Sequence, residues 1–215
     1  MTTTTTTTIA VSFSPLDFQD ITPLPQDEGV LFPICCIDYE YEFIQAMNYM
    51  RAILQSHEYS IRALHLSQFC LQYNPANYTL WHFRRTCLAK MEENNNTVTE
   101  EEQETTDTVQ HSQQRQPLVI LNAEQILYEF KLASYLGGSK PKNYQIWYHR
   151  RMMLQSAIHL SSISSSSTTS STSPTTKSTV PSWAKDELEY VAQVLQEDDK
   201  NYHVRKNVCV CVFCF

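Results

Sequence analysis

A segment that occurs twice in full and once in part constrains this chain more than any other feature. It reads Ala76-Asn77-Tyr78-Thr79-Leu80-Trp81-His82-Phe83-Arg84-Arg85, then Lys142-Asn143-Tyr144-Gln145-Ile146-Trp147-Tyr148-His149-Arg150-Arg151. It opens again as Lys200-Asn201-Tyr202-His203-Val204, with Arg205 where the tryptophan is expected. Asn77 and Asn143 lie 66 residues apart, and Asn143 and Asn201 lie 58 apart. Two low-complexity inserts, roughly 25 and 22 residues long, fall in these intervals; without them each interval is about 35–40 residues, the length of a helix-turn-helix unit of an α-solenoid.

The motif has a physical logic as a helix start. Asn is a strong N-cap, because its side-chain oxygen accepts from a backbone amide of the first turn that has no partner in the helix. Tyr and Trp, three residues apart, share a face, and Trp81, Trp147 and Tyr78 are expected to pack between helices. The arginines follow one turn later. Their planar guanidinium groups suit carboxylates or carbonyls between repeats. His82 and His149 read as packing residues of the same unit.

Around the motif the pattern is helical. Phe43, Met47, Met50 and Leu54 make an apolar stripe in a helix beginning near Tyr39. A second helix runs from the cap Ser60 to about Tyr73, and a third from Asn77 to about Met91. Helical pattern resumes at Asn122, with Ala123, Ile126, Leu127 and Phe130 on one face, and Gly137-Gly138 ends it. Another helix follows Asn143 to about Leu160, and a short one covers about Pro181 to Gln196. With only three glycines, at 29, 137 and 138, a Gly-rich phosphate loop is excluded. The fold expected is all-α: an α–α superhelix, a right-handed crescent of helical hairpins. An irregular segment, 1–38, precedes a repeat domain over 39–208. Disordered inserts fall at about 92–116 and 161–182, and a divergent Cys-rich tail at 209–215. Within that tail the Val and Cys alternation after Arg205 is strand-like.

The formal charge of −7 comes from one place. Glu92, Glu93, Glu100, Glu101, Glu102, Glu104 and Asp107 account for all of it, in an insert segment with no Lys or Arg. The remainder is neutral, so no basic nucleic-acid surface is expected. No apolar run approaches the ~20 residues that span a bilayer. Seven cysteines, an odd number, follow an N-terminal threonine run rather than a leader, and a reduced, cytoplasmic setting is expected. Cys209, Cys211 and Cys214 lack a fourth paired ligand and make a poor zinc pattern. No metal ligands are assigned to this chain.

The tandem Asn-Tyr-x-x-Trp-x-x-Arg-Arg motif resembles the α-subunit repeat of protein farnesyltransferase and geranylgeranyltransferase type I. The likeness extends to Asp20-Ile21-Thr22-Pro23-Leu24-Pro25-Gln26-Asp27-Glu28-Gly29 and to Tyr49-Met50-Arg51-Ala52-Ile53-Leu54. The resemblance implies an α subunit of a heterodimer, catalytic only with a β subunit. That enzyme transfers farnesyl or geranylgeranyl from its diphosphate to the cysteine of C-terminal CaaX motifs. It implies Zn2+ held by the β subunit and Mg2+ acting with the diphosphate. By resemblance Lys142 matches the catalytic lysine and Tyr144 a tyrosine lining the same site. Gln145 matches a glutamine that bonds the peptide carboxylate, and Asn201, Tyr202 and His203 match the next repeat's substrate-binding positions. The family carries further repeats past the third copy, so a C-terminal truncation is expected here. Two other readings fit the repeat: the α subunit of Rab geranylgeranyltransferase, and a non-catalytic scaffold of the tetratricopeptide sort.

One contrast is internal to the chain. Lys142 and Lys200 stand immediately before Asn143 and Asn201, while the first copy has Ala76. A lysine beside the free amides of a helix start suits the charge that grows on a departing diphosphate.

Overall fold

The computed structural model describes residues 9–26, 29, 35, 37–97, 121–138, 142–166 and 182–213. Among the described residues a short 3-10 helix, Pro15–Phe18, precedes seven α-helices. They are α1 (Tyr41–Ser56), α2 (Ile61–Tyr73), α3 (Tyr78–Thr97), α4 (Ala123–Gly137), α5 (Tyr144–Ser166), α6 (Ser182–Glu197) and α7 (Tyr202–Phe213). No strand occurs among the described residues. Neighbours in sequence pair as hairpins, α2 with α3, α4 with α5 and α6 with α7, while α3 meets α5 and α5 meets α7. The motif helices α3, α5 and α7 thus form one layer of an α–α superhelix, with α2, α4 and α6 as the other.

Apolar stripes explain the stacking. Phe43 and Met50 of α1 are buried, with Met47 and Leu54 packed at the margin. Trp81 joins Leu80, Phe83 and Cys87 in the core shared with α1 and α2. Leu88, Ile126, Phe130, Met152 and Met153 fill the next junction, and Trp147, Val191 and Val204 the last. In α4 the buried stripe is Ile126, Phe130, Ala133 and Leu136, whereas Leu127 and Ala123 face outward, so the expected face was drawn one position too wide. Gly138 does follow the end of α4, but in right-handed helical conformation rather than a left-handed cap.

The N-terminal segment is extended yet tied down. Gln68 and Gln72 of α2 donate to the carbonyls of Ile9 and Val11. Phe13 packs against Phe18, Tyr49 and Phe69. Arg62 makes a two-pronged pair with Asp20, both contacts at 2.7 Å. Arg51 donates to the Leu24 carbonyl at 2.9 Å. Asp27 and Glu28 lie outside the described residues.

Three expectations are corrected. The tail is helical through Phe213, not strand-like. Val204 and Asn207, three apart, are both buried, and the Asn207 side chain bonds Glu187. This packing overrides the β preference of Val and Cys, and the polarity of Asn207 had hidden the helical period. Second, α3 and α5 run on to Thr97 and Ser166, inside stretches expected to be irregular. Adding residues to a formed helix costs little, and Lys90 and Glu93 pair across one turn at 2.7 Å. Third, Tyr78 and His82 do not pack between helices: both are exposed, Tyr78 by 68%.

Candidate functional site at the aligned helix starts

Each motif helix begins in the same way. The side-chain oxygens of Asn77, Asn143 and Asn201 accept from the amides of Leu80 (3.2 Å), Gln145 (3.0 Å) and Val204 (3.3 Å). Successive starts are tied together. The Pro75 carbonyl accepts from the Trp81 indole at 2.9 Å within the first repeat and from Asn143 Nδ2 at 2.8 Å from the second. In the third repeat Arg205 takes over the indole's task, its Nε donating to the Asp199 carbonyl, again six residues back, at 2.9 Å. The three positive helix ends therefore lie along one edge, which favours anions there.

The spacing between motif helices is fixed by buried ion pairs that recur with the repeat. Arg84 donates to both oxygens of Glu129 at 2.8 and 2.7 Å, and to the Leu64 carbonyl at 2.9 Å. Arg150 forks in the same manner onto Glu187 and donates to the Phe130 carbonyl at 3.1 Å. Each glutamate meets a second group from its own hairpin. His149 Nε2 lies 3.0 Å from Glu129, and Asn207 donates to Glu187 at 3.4 Å. Burial alone would push Glu129 up, but Arg84 and then His149 outweigh it and hold its carboxyl at about 2. Burial holds His149 below its ordinary range. The carboxylate only accepts, so Nε2 carries the imidazole proton and Nδ1 is left without a partner. The arginines were legible as inter-repeat ligands; their carboxylates were missed. A signal existed: Glu129 stands in the apolar stripe between Ile126 and Ala133, and Glu187 likewise between Ala184 and Val191.

Along the edge above these pairs, the tyrosine after each Asn is exposed: Tyr78 by 68%, Tyr144 by 56% and Tyr202 by 67%. The rings of Tyr144 and His203 lie 5.8 Å apart, and those of Tyr202 and His203 5.7 Å apart. Together they line a depression of about 210 Å³ between α5 and α7, whose wall also includes Tyr148, Arg151 and Lys206. No carboxylate lines it. Lys206 was not singled out from the sequence, since it lies one turn into α7 where the motif pattern is lost; Arg151 was expected to join repeats and instead lies 5.0 Å from the Tyr148 ring in the wall of the depression.

The remaining expected site residues divide. Lys142 precedes the cap of α5, its side chain 80% exposed, with Nζ 3.6 Å from Asp198 on the loop that leads into α7. That contact places its ammonium on the edge where α5 and α7 begin. Gln145 is only 7% exposed and lies outside the lining of the depression. Asn201 is buried, its oxygen engaged in capping α7. Among the described residues no three of His, Cys, Asp and Glu come close enough to hold a metal, so those residues do not fit a zinc or magnesium site. Cys214 lies outside the described residues.

A superhelix of α-hairpins with one aligned edge of positive helix ends defines a helical-repeat protein that can receive an anion. The pattern of the protein prenyltransferase alpha subunit repeat matches residues 61–91 and 126–157, across the α2–α3 and α4–α5 hairpins. The chain is 46% identical over 78 residues to the protein farnesyltransferase/geranylgeranyltransferase type-1 subunit alpha of Dictyostelium discoideum, covering 36% of this chain and 24% of that one. The subunit of the same name from Schizosaccharomyces pombe is 32% identical over 142 residues, covering 65% of this chain and 37% of that one. The chain therefore spans less than two fifths of the length of either relative. In structure it resembles Candida albicans protein geranylgeranyltransferase-I complexed with GGPP. The TM-score is 0.57 at 22% identity, over 90% of this chain and 48% of that one. That likeness bears out the helical-repeat fold.

Proposed function

We propose that this chain acts as the α subunit of a heterodimeric protein prenyltransferase of the farnesyltransferase/geranylgeranyltransferase type I kind. With a β subunit it transfers an isoprenoid from its diphosphate to the cysteine of a CaaX protein. The observation that carries this reading is the edge itself. A lysine stands at the cap of α5, beside aligned helix starts and a depression lined by tyrosines, His203, Arg151 and Lys206.

The chemistry follows from charge. As the bond between the isoprenoid carbon and the diphosphate oxygen breaks, the electron pair stays on the oxygen and negative charge grows there. A cation and oriented amides already in place stabilise that charge without reorganising. In this reading Lys142 contacts the departing diphosphate, and Tyr144, Tyr202 and His203 shape the wall beside it. Gln145 and Asn201 hold the α5 and α7 starts in register, with Gln145 reaching the peptide carboxylate once the partner is bound. Zinc comes with the β subunit and magnesium with the diphosphate, and no step here is routed through either.

No helix among the described residues is long and apolar enough to cross a membrane. The setting we propose is cytoplasmic. Burial pushes the thiols of Cys70 and Cys87 up to about 12 and about 11, which leaves both inert. Co-expression with a farnesyltransferase or type I geranylgeranyltransferase β subunit tests the proposal. A stable 1:1 complex that prenylates a CaaX peptide without an escort protein is expected. No complex with either β subunit would overturn it in favour of a non-catalytic scaffold.

A further inference from the structure

Lys142 has a neighbour that the motif does not contain. Asp198 sits on the loop between α6 and α7, its backbone fixed at both sides: its amide donates to the Val194 carbonyl at 3.0 Å, and its carbonyl accepts from the Asn201 amide at 3.2 Å. Its side chain is only about a fifth exposed. The oxygen Oδ2 is buried and accepts no hydrogen bond, yet it is the atom that lies 3.6 Å from Lys142 Nζ. A buried carboxylate oxygen without a donor is costly, and this ammonium is a donor within short reach of it. A closer approach of about half an ångström makes the bond.

The repeat supplies a control. Lys142 stands one residue before Asn143, and Asp198 three residues before Asn201. At the preceding junction the same two places hold Ala76 and Lys140, which cannot pair. The cation and its carboxylate therefore occur together, at the junction that bears the depression.

We propose that Asp198 is a positioning residue for Lys142, an inference that rests on the function proposed above. Lysine has a long flexible stem, and a side chain this exposed otherwise sweeps a wide volume. Asp198 is held by the α7 start, so it fixes the ammonium relative to Tyr202 and His203 across the gap between repeats. The sign of the effect separates positioning from simple electrostatics. A carboxylate next to an anion-binding lysine repels the anion, so removing it tightens binding or leaves the rate unchanged if charge alone matters. Removing it slows the chemical step if geometry matters.

The test is single-turnover transfer by the assembled heterodimer. D198N is expected to lower the rate roughly 10- to 100-fold, as a misplaced reacting group does, with KM for the prenyl diphosphate unchanged. D198E is expected to recover part of that loss. In a K142A background D198N should cost nothing further, since it acts only through the lysine. An unchanged or faster D198N enzyme overturns the proposal, and so does an equal loss in the K142A background, which marks a loop defect. K142A without effect instead sinks the underlying reading of the site. A second measurement needs only the chain itself: with an amine-acylating reagent, D198N should change the labelling rate of Lys142 and leave that of Lys200 as it was. Equal behaviour of the two lysines refutes the contact.

Discussion

The two arginines of each motif look equivalent in sequence and are not. Arg84 is buried with every direction engaged: a carboxylate, a backbone carbonyl and two side-chain oxygens. Arg85 is buried as well, its guanidinium 4.8 Å from the Tyr148 ring, but Nε and Nη1 have no hydrogen-bond partner. Burial pulls its pKa down to about 10. Replacing each by methionine should separate them. R84M strands the Glu129 charge in the interior and should cost about 3–5 kcal/mol. R85M removes a group that already lacks partners and should cost under about 1 kcal/mol. Chemical denaturation of the two variants checks this, and equal losses would contradict it. The sequence showed that arginines join the repeats. It could not show which one, because the deciding groups, Glu129 and Glu187, lie on helices whose register across an insert no local pattern fixes.

Among the helices, the motif start does two jobs at once. Asn143 caps α5 and also ties it to the loop before α3 through the Pro75 carbonyl. Among the described residues Asn77 in the first repeat makes only the cap bond with its side chain. N143A should therefore cost more than N77A, which loses about 1 kcal/mol as an ordinary cap does. Thermal or urea unfolding of the two variants gives the comparison, and equal costs would show that the Pro75 tie contributes nothing. The caps of α2, α3 and α5 and the stripe of α1 were readable because each obeys a local rule. The helix α7 was not, since Arg205 replaces the tryptophan and a buried polar residue, Asn207, occupies the place that His149 holds in α5. Both substitutions preserve a contact while erasing its usual residue type. The exposed Tyr78 escaped for the opposite reason, whereas Tyr144 and Tyr202 were expected at the site through the resemblance. An aromatic one position after a helix cap reads as core unless the direction of the helix start is known.

Taken as a whole, the molecule joins its repeats through buried charge, and pH should reveal it. His149 is held below its ordinary value and Glu129 at about 2, so on both counts the folded chain binds fewer protons than the unfolded chain as pH falls, while Glu187, pushed up by burial, offsets part of this. Stability is then full at neutral pH. It declines as pH drops through the ordinary histidine range near 6.5 and declines again below about 4.5, where unfolded carboxylates protonate. H149N imitates the third repeat's Asn207 and should remove the first decline while leaving the second. Urea midpoints measured from pH 7.5 to 5 test this; a variant with the parent's slope over that range would contradict it.

The same joints set the distance between the starts of α5 and α7, where the proposed chemistry takes place. We propose that Lys142, at the mouth of α5, stabilises a departing diphosphate held jointly with a partner subunit. Single-turnover transfer by a heterodimer carrying K142A tests it most directly. The rate should fall by about 10²–10³ with CaaX peptide binding unchanged, as expected for loss of one preorganised charge donor. A rate equal to that of the parent enzyme would contradict it.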